Sequence, residues 1–166
     1  NDLIYAGNGN DVVYAGNDND TIIGGEGNNF LGGDNGDDLI YGGNGNDSIY
    51  GGNGNDVVYA SNGNNIVGGD AGDDCIFTGS GNDLVYGGDG DDLIEGGAGF
   101  DGLYGGNGND NIKGGEASTI LDGGAGNDLL TGGNGWNTFV GGDGNDTITA
   151  GIGKDTIYGD AGNDLI

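Results

Sequence analysis

Residues 41–60 read "YGGNGNDSIYGGNGNDVVYA", a nine-residue phrase written twice. Tyr41 to Ile49 and Tyr50 to Val58 share one frame: aromatic, Gly, Gly, Asn, Gly, Asn, Asp, a variable residue, an aliphatic one. Each repeat, counted from its first Gly, is G-G-x-G-x-D-x-U-x, where U is a large apolar residue. The sixth position then falls at Asp2 and at every ninth residue to Asp164. Of these 19 positions, 15 are Asp, three are Asn (Asn29, Asn65, Asn137) and one is Thr119, and no insertion or deletion breaks the phase. The eighth position is Ile, Val, Leu or Phe throughout, from Ile4 to Ile166. A disordered acidic segment has no reason to hold an apolar residue in step over its whole length. The chain is one uninterrupted array.

Composition narrows the partners. Glycine takes 46 of 166 residues, far above its average share of about 7%, and Pro, Met and His are absent. Two cationic side chains face 28 acidic ones, for a formal charge of −26. Nucleic acid and anionic membrane surfaces would repel such a chain, so its natural partners are cations. No apolar run approaches the roughly 18 residues of a spanning helix, and the first residues carry no signal-peptide pattern. Cys75 is the lone cysteine, so no internal disulfide forms, and with no His the usual zinc-ligand sets cannot be assembled.

The frame resembles the repeats-in-toxin (RTX) nonapeptide family, and the resemblance runs over residues 1–166. It implies an all-β fold, a right-handed parallel β-roll or β-solenoid. Six residues of each repeat turn and bind Ca²⁺, three form a short strand, and two repeats complete a coil. About nine coils follow, roughly 43 Å at about 4.8 Å per coil. The implied metal ligands are the sixth-position carboxylates: Asp2, Asp20, Asp38, Asp56, Asp74, Asp92, Asp110, Asp128, Asp146 and Asp164 along one edge. Along the other they are Asp11, Asp47, Asp83, Asp101 and Asp155. The repeat "GGEASTILD" (114–122) departs from the pattern, with Ala117 for the fourth-position Gly and Thr119 for the Asp.

The residues themselves agree with that implication. Gly supplies the positive-φ conformations of tight turns and lets backbone carbonyls approach an ion. In an x-U-x strand the middle side chain alone points inward, so the expected core is a thin row of eighth-position residues. Carboxylates stacked at about 4.8 Å repel by roughly 1–3.5 kcal/mol per neighbouring pair, depending on the effective dielectric. A hard cation removes that repulsion. Ca²⁺–O distances of about 2.3–2.6 Å, doubled, span the gap between coils, whereas Mg²⁺ has shorter bonds and dehydrates reluctantly.

Departures from the frame are unevenly placed. The ten sixth positions of the first edge are all Asp, and all four substitutions fall on the second. Further acids reinforce the first edge: Asp18, Asp34, Asp37, Asp70, Asp73, Asp89, Asp91, Asp143 and Asp160. The first edge is therefore expected to bind calcium more tightly. On the second edge the fifth position is Asn up to Asn82 and then Phe100, Ser118, Trp136 and Lys154. One column is expected there, with Trp136 and Lys154 close enough for a cation–π contact. All eight tyrosines occupy the ninth position, which predicts an apolar outer face. Phe100, Trp136, Lys154, Tyr41 and Tyr59 are the candidate partner contacts.

Other motifs dissolve into the repeat. "GAGFDG" (97–102) matches G-x-G-x-x-G but has no helix after it, and no EF-hand loop is present. The three N-x-S/T triplets at Asn19, Asn46 and Asn145 follow from the frame. No nucleophile–base pair stands out, so the chain reads as a non-enzyme. The expected function is a calcium-binding structural module of a secreted or cell-surface protein, serving extension, adhesion or filament formation and folding on Ca²⁺. Family resemblance leaves two alternatives. One is the calcium-folding tail of a secreted hydrolase or toxin; the other is an ice-binding solenoid, for which an outward Thr/Asn array is wanted. Residues 1–166 are expected to form a single continuous domain, uncapped at both ends. Flanking sequence, or self-association end to end or through the apolar face, follows from that.

Overall fold

The computed structural model describes Asn1–Ile166. It contains strands and turns only. The strands are β1 (Leu3–Asn8), β2 (Val12–Asn17), β3 (Thr21–Glu26), β4 (Phe30–Asn35), β5 (Leu39–Asn44), β6 (Ser48–Asn53), β7 (Val57–Asn62), β8 (Ile66–Ala71) and β9 (Cys75–Phe77). They continue as β10 (Leu84–Asp89), β11 (Leu93–Glu95), β12 (Gly102–Asn107), β13 (Asn111–Lys113), β14 (Ile120–Ala125), β15 (Leu129–Thr131), β16 (Thr138–Asp143), β17 (Thr147–Thr149) and β18 (Thr156–Ala161). Odd strands build one nine-stranded parallel sheet and even strands the other. Every pairing joins residues 18 apart, as in Ile40↔Val58 and Val85↔Leu103. The molecule is a β-solenoid of two repeats per coil, consistent with the β-roll that the family resemblance implies.

Between the two sheets lies a single row of apolar side chains from Ile22 to Ile148, all eighth-position except Ala60. The strands are longer than the expected three residues. Most run for six, because the first three turn residues stay in register with the coils above and below and share their hydrogen bonds. A six-residue strand turns a second residue inward. Within β5 both Ile40 and Gly42 are buried, and Gly51 is buried in β6. The inward row is thus an aliphatic residue and a first-position Gly in alternation, not the aliphatic residue alone. From β9 onward the odd strands shrink to three residues while even strands keep six. Of the turns that follow those short strands, all but the first replace the fifth-position Asn, with Phe100, Ser118, Trp136 and Lys154.

Outside, aromatic rings stack along the coils. Tyr41, Tyr59 and Phe77 lie face to face on the odd sheet, with ring centroids 5.2 and 5.1 Å apart. On the even sheet Tyr86 stacks on Tyr104 at 5.3 Å. Further along the same odd-sheet column stand Glu95 and Lys113, paired at 3.4 Å, then Thr131 and Thr149.

Candidate metal centres

Each sixth-position residue closes a turn just before a strand begins, and the 18-residue register stacks it on its equivalents. On the first edge every such carboxylate from Asp20 to Asp164 has its two oxygens in different roles. Oδ1 accepts the peptide N–H of the sixth residue one coil earlier: Asp38 donates to Asp56 at 2.7 Å, Asp56 to Asp74 at 2.7 Å, Asp74 to Asp92 at 2.8 Å. The series continues through Asp110 and Asp128 to Asp146. At the fifth position a second ladder runs the other way, from Asn55 N–H to Asp37 Oδ1 and onward to Asn163. These ladders hold the carboxylates in one orientation.

Oδ2 has no such partner. In twelve of the aspartates, eight on the first edge and four on the second, this oxygen is buried and makes no hydrogen bond. It faces the first-position glycine of its own turn. A methyl group built on Gly33 would collide with Oδ2 of Asp38 and with the carbonyl oxygen of Gly51 in the next coil; the same holds at Gly51, Gly69, Gly87, Gly105, Gly123 and Gly141. Two oxygens thus border each gap, and only Gly leaves that gap open.

Burial is the main cause that lifts these carboxyls above the ordinary range. Asp56, Asp92, Asp110 and Asp128 are raised to about 6 and Asp74 to about 7. The ladder N–H groups work against the rise, and neighbouring carboxylates add to it. A row of buried oxygens with no proton donor and mutual repulsion is a site for a cation. The donor set is oxygen only, which suits a hard ion such as Ca²⁺. Nowhere do three carboxylates converge on one point, so backbone carbonyls have to complete any coordination shell.

The RTX calcium-binding nonapeptide repeat profile matches residues 1–31, 32–67, 68–103, 104–135, 113–148 and 131–166. The chain belongs to this RTX repeat family. No curated protein matches it. As an RTX array it is a calcium-binding structural module built as a β-solenoid.

The two edges of this RTX solenoid differ more than the sixth position alone reveals. On the first edge the first position is Gly in eight consecutive turns, from Gly33 to Gly159, after Ala15. On the second edge it is Ala6, Gly24, Gly42, Ala60, Thr78, Gly96, Gly114, Gly132 and Ala150. Gly and Asp coincide there in two turns only, Gly42/Asp47 and Gly96/Asp101. Asp47 and Asp83 are raised by burial, and Asp101 is raised to about 6 by burial, with Asp83 as its carboxylate neighbour adding to the rise. The sixth-position identities were legible in the sequence. The part played by the first position was not, because a three-residue strand leaves it in the turn.

Eleven of the fifteen candidate aspartates are buried, from Asp20 to Asp146, while Asp11, Asp155 and Asp164 are half-buried and Asp2 is exposed in the terminal coils. The fifth-position column also forms, and there the ladder fails. Phe100 N–H still donates to Asn82 at 2.9 Å, but Phe100 has no side-chain acceptor to offer Ser118. Phe100 and Trp136 are 56% and 70% exposed, so their rings are not core. No cation–π contact joins Trp136 to Lys154; the aromatic contacts of the structure lie on the sheet faces instead.

Proposed function

We propose that the chain is a calcium-folded structural segment of a secreted or cell-surface protein, used for extension, adhesion or filament building. The observation that carries this reading is the line of buried, unpartnered Oδ2 atoms. Ionised carboxylates out of water and without a counter-charge cost several kcal/mol each, so an array of them is a poor fold until a cation answers it. Asp2, Asp20, Asp38, Asp56, Asp74, Asp92, Asp110, Asp128, Asp146 and Asp164 would hold Ca²⁺ along the first edge. Asp11, Asp47, Asp83, Asp101 and Asp155 would do so more weakly along the second. Bound calcium supplies the positive charge between coils, and the Gly gaps give it room.

Because no ordered site exists in an unfolded chain, binding free energy becomes folding free energy. Extracellular calcium modules work at Kd near 10⁻⁴–10⁻³ M, so the chain stays open inside a cell and folds outside it, over residues 1–166 as one array. Circular dichroism in EDTA and then in millimolar Ca²⁺ tests this. A β spectrum that grows with calcium supports it, and a full β spectrum in EDTA ends it.

Contact with a partner is a separate role, assigned to exposed side chains that the ladders do not use: Phe100, Trp136 and Lys154 on the second edge, and the Tyr41–Tyr59 stack. Trp136 fluorescence is the direct reporter. Its emission should shift on association, and Trp136→Ala should weaken it; identical association by that variant would remove the edge from consideration.

A further inference from the structure

Three of the four sixth-position substitutions are Asn, and each Asn side chain is anchored the same way. Its Oδ1 takes the ladder N–H of the previous coil: Asp11 donates to Asn29 at 3.0 Å, Asp47 to Asn65 at 2.9 Å and Thr119 to Asn137 at 3.1 Å. That bond fixes which end of the amide is oxygen. Nδ2 must then stand where an aspartate has Oδ2, and it donates to the carbonyl of its own turn. The bonds run from Asn29 to Gly27 at 3.2 Å, from Asn65 to Gly63 at 3.2 Å and from Asn137 to Gly135 at 3.3 Å. Asn137 also donates to Asp155 Oδ1 at 3.2 Å. Thr119, the fourth substitution, turns its hydroxyl to the equivalent carbonyl of Ala117 at 3.4 Å.

Asn and Asp have the same shape, so an aspartate at these places sets a carboxylate oxygen against the same carbonyl with no proton between them. The amide supplies that proton and removes the charge. On the second edge the gap is also filled from the opposite side: Ala60, in the turn of Asn65, and Ala150 place a methyl group where Gly leaves space, and Thr78 places a side chain whose hydroxyl donates to Gly96 at 2.7 Å.

Given the calcium reading above, we infer that the second edge, apart from the turns of Ala6, Thr78 and Ala150, is built from two kinds of turn. Turns 24–29, 60–65, 114–119 and 132–137 are closed by an internal donor and take no Ca²⁺ of their own, and turns 42–47 and 96–101 keep an open calcium gap. The Asn amide is a built-in stand-in for the cation. The first edge demands metal along its length, while the second is partly closed by the chain itself and holds its shape at lower calcium.

Restoring the charge distinguishes the two kinds. Asn29→Asp with Asn137→Asp rebuilds two turns whose first position is already glycine, at Gly24 and Gly132. Ca²⁺ bound per chain, measured by equilibrium dialysis, should rise by about one ion for each carboxylate restored, and the double variant should need more calcium than the parent to reach its full β spectrum. The converse variant, Asp47→Asn, should bind about one ion fewer and fold at no higher calcium than the parent. The inference is overturned if the double variant binds the same number of ions as the parent. It is equally overturned if Asp47→Asn folds only at raised calcium, a readout that stands even where the double variant does not fold. A parent that binds no Ca²⁺ at all overturns the calcium reading itself, whatever the variants do.

Discussion

Along the first edge, the turns from 33–38 to 159–164 each pair a glycine gap with an aspartate. Along the second edge, seven turns of nine lose one or both of those features. Yet both edges support the same strand register and the same row of core residues. In turns 24–29 and 33–38 the backbone therefore keeps the same register however the negative oxygens are answered. A cation can do it from outside the sequence, and an amide or hydroxyl can do it from within. Changing one oxygen for nitrogen moves a turn from one class to the other without moving the chain.

Chelation offers the largest test of that contrast. In EDTA at neutral pH most of the β signal should vanish, and hydrogen exchange should show the peptide N–H groups of Asp56, Asp74 and Asp92 opening first. Those of Asp11, Asp47 and Thr119, which donate to Asn side chains, should keep the most protection. Uniform exchange along both edges would erase the distinction.

Single truncations come next. Asp92→Ala strands the buried N–H of Asp74 and removes a charge flanked by Asp74 and Asp110. In calcium it should cost about 2–3 kcal/mol, since a buried donor left unpaired accounts for roughly 1–3. Asp47→Ala strands Asn29 N–H but has Asn29 and Asn65 as neighbours, so about 1 kcal/mol is expected. Equal losses in calcium titrations followed by denaturation would count against unequal edges.

Acidity separates the edges more gently. Folded-state pKa values of about 6 for Asp56, Asp92, Asp110 and Asp128, and about 7 for Asp74, lie above the 3.8 of an open chain. The metal-free fold then binds protons more strongly than the unfolded chain does. Its stability is full below pH 3.8 and is lost as pH rises through about 6–7. Without calcium, circular dichroism should show more structure at pH 4.5 than at pH 8. With calcium the dependence reverses, because protons compete for the same oxygens and affinity falls below about pH 6. The first edge should dominate both effects, since Asp101 alone reaches about 6 on the second.

The smallest effects belong to the fifth position. Asn109→Ala on the first edge removes the acceptor for Asn127 N–H at 2.9 Å and should cost about 0.5–1 kcal/mol. Trp136→Ala on the second edge keeps the N–H that donates to Ser118 at 3.0 Å, removes only an exposed side chain and should stay within about 0.5 kcal/mol. Thermal denaturation of the two variants in calcium compares them directly.

Much of this was readable in the sequence. The nine-residue phase placed Ile40, Val58 and Ile76 in one inward row and Asp38, Asp56 and Asp74 in one column, because a rigid period leaves few ways to stack. Local reading could not reach what depends on the neighbouring coil. The inward place of Gly33 or Ala60 appears only when strands extend to six residues, and that extension is made by bonds to residues 18 away. Nor does the sequence say which aspartate oxygen the ladder takes. The expected Trp136–Lys154 pairing failed for a related reason: column membership fixes the backbone, not where two exposed side chains point.

The 18-residue pairing also governs which changes of length this molecule tolerates. Removing 18 residues takes out one coil and leaves each edge in its own column. Removing nine, for example 59–67, keeps every aliphatic residue inward but carries all later turns across to the opposite side. Asp74 and its successors would then follow Asp47 on the second edge, and Asp83, Asp101, Thr119 and Asn137 would follow Asp56 on the first. The solenoid would still close around its core, yet below the splice its metal-demanding and self-closed sides would be exchanged. Growth or shortening by single repeats therefore scrambles the edges, and only whole coils can be gained or lost without consequence.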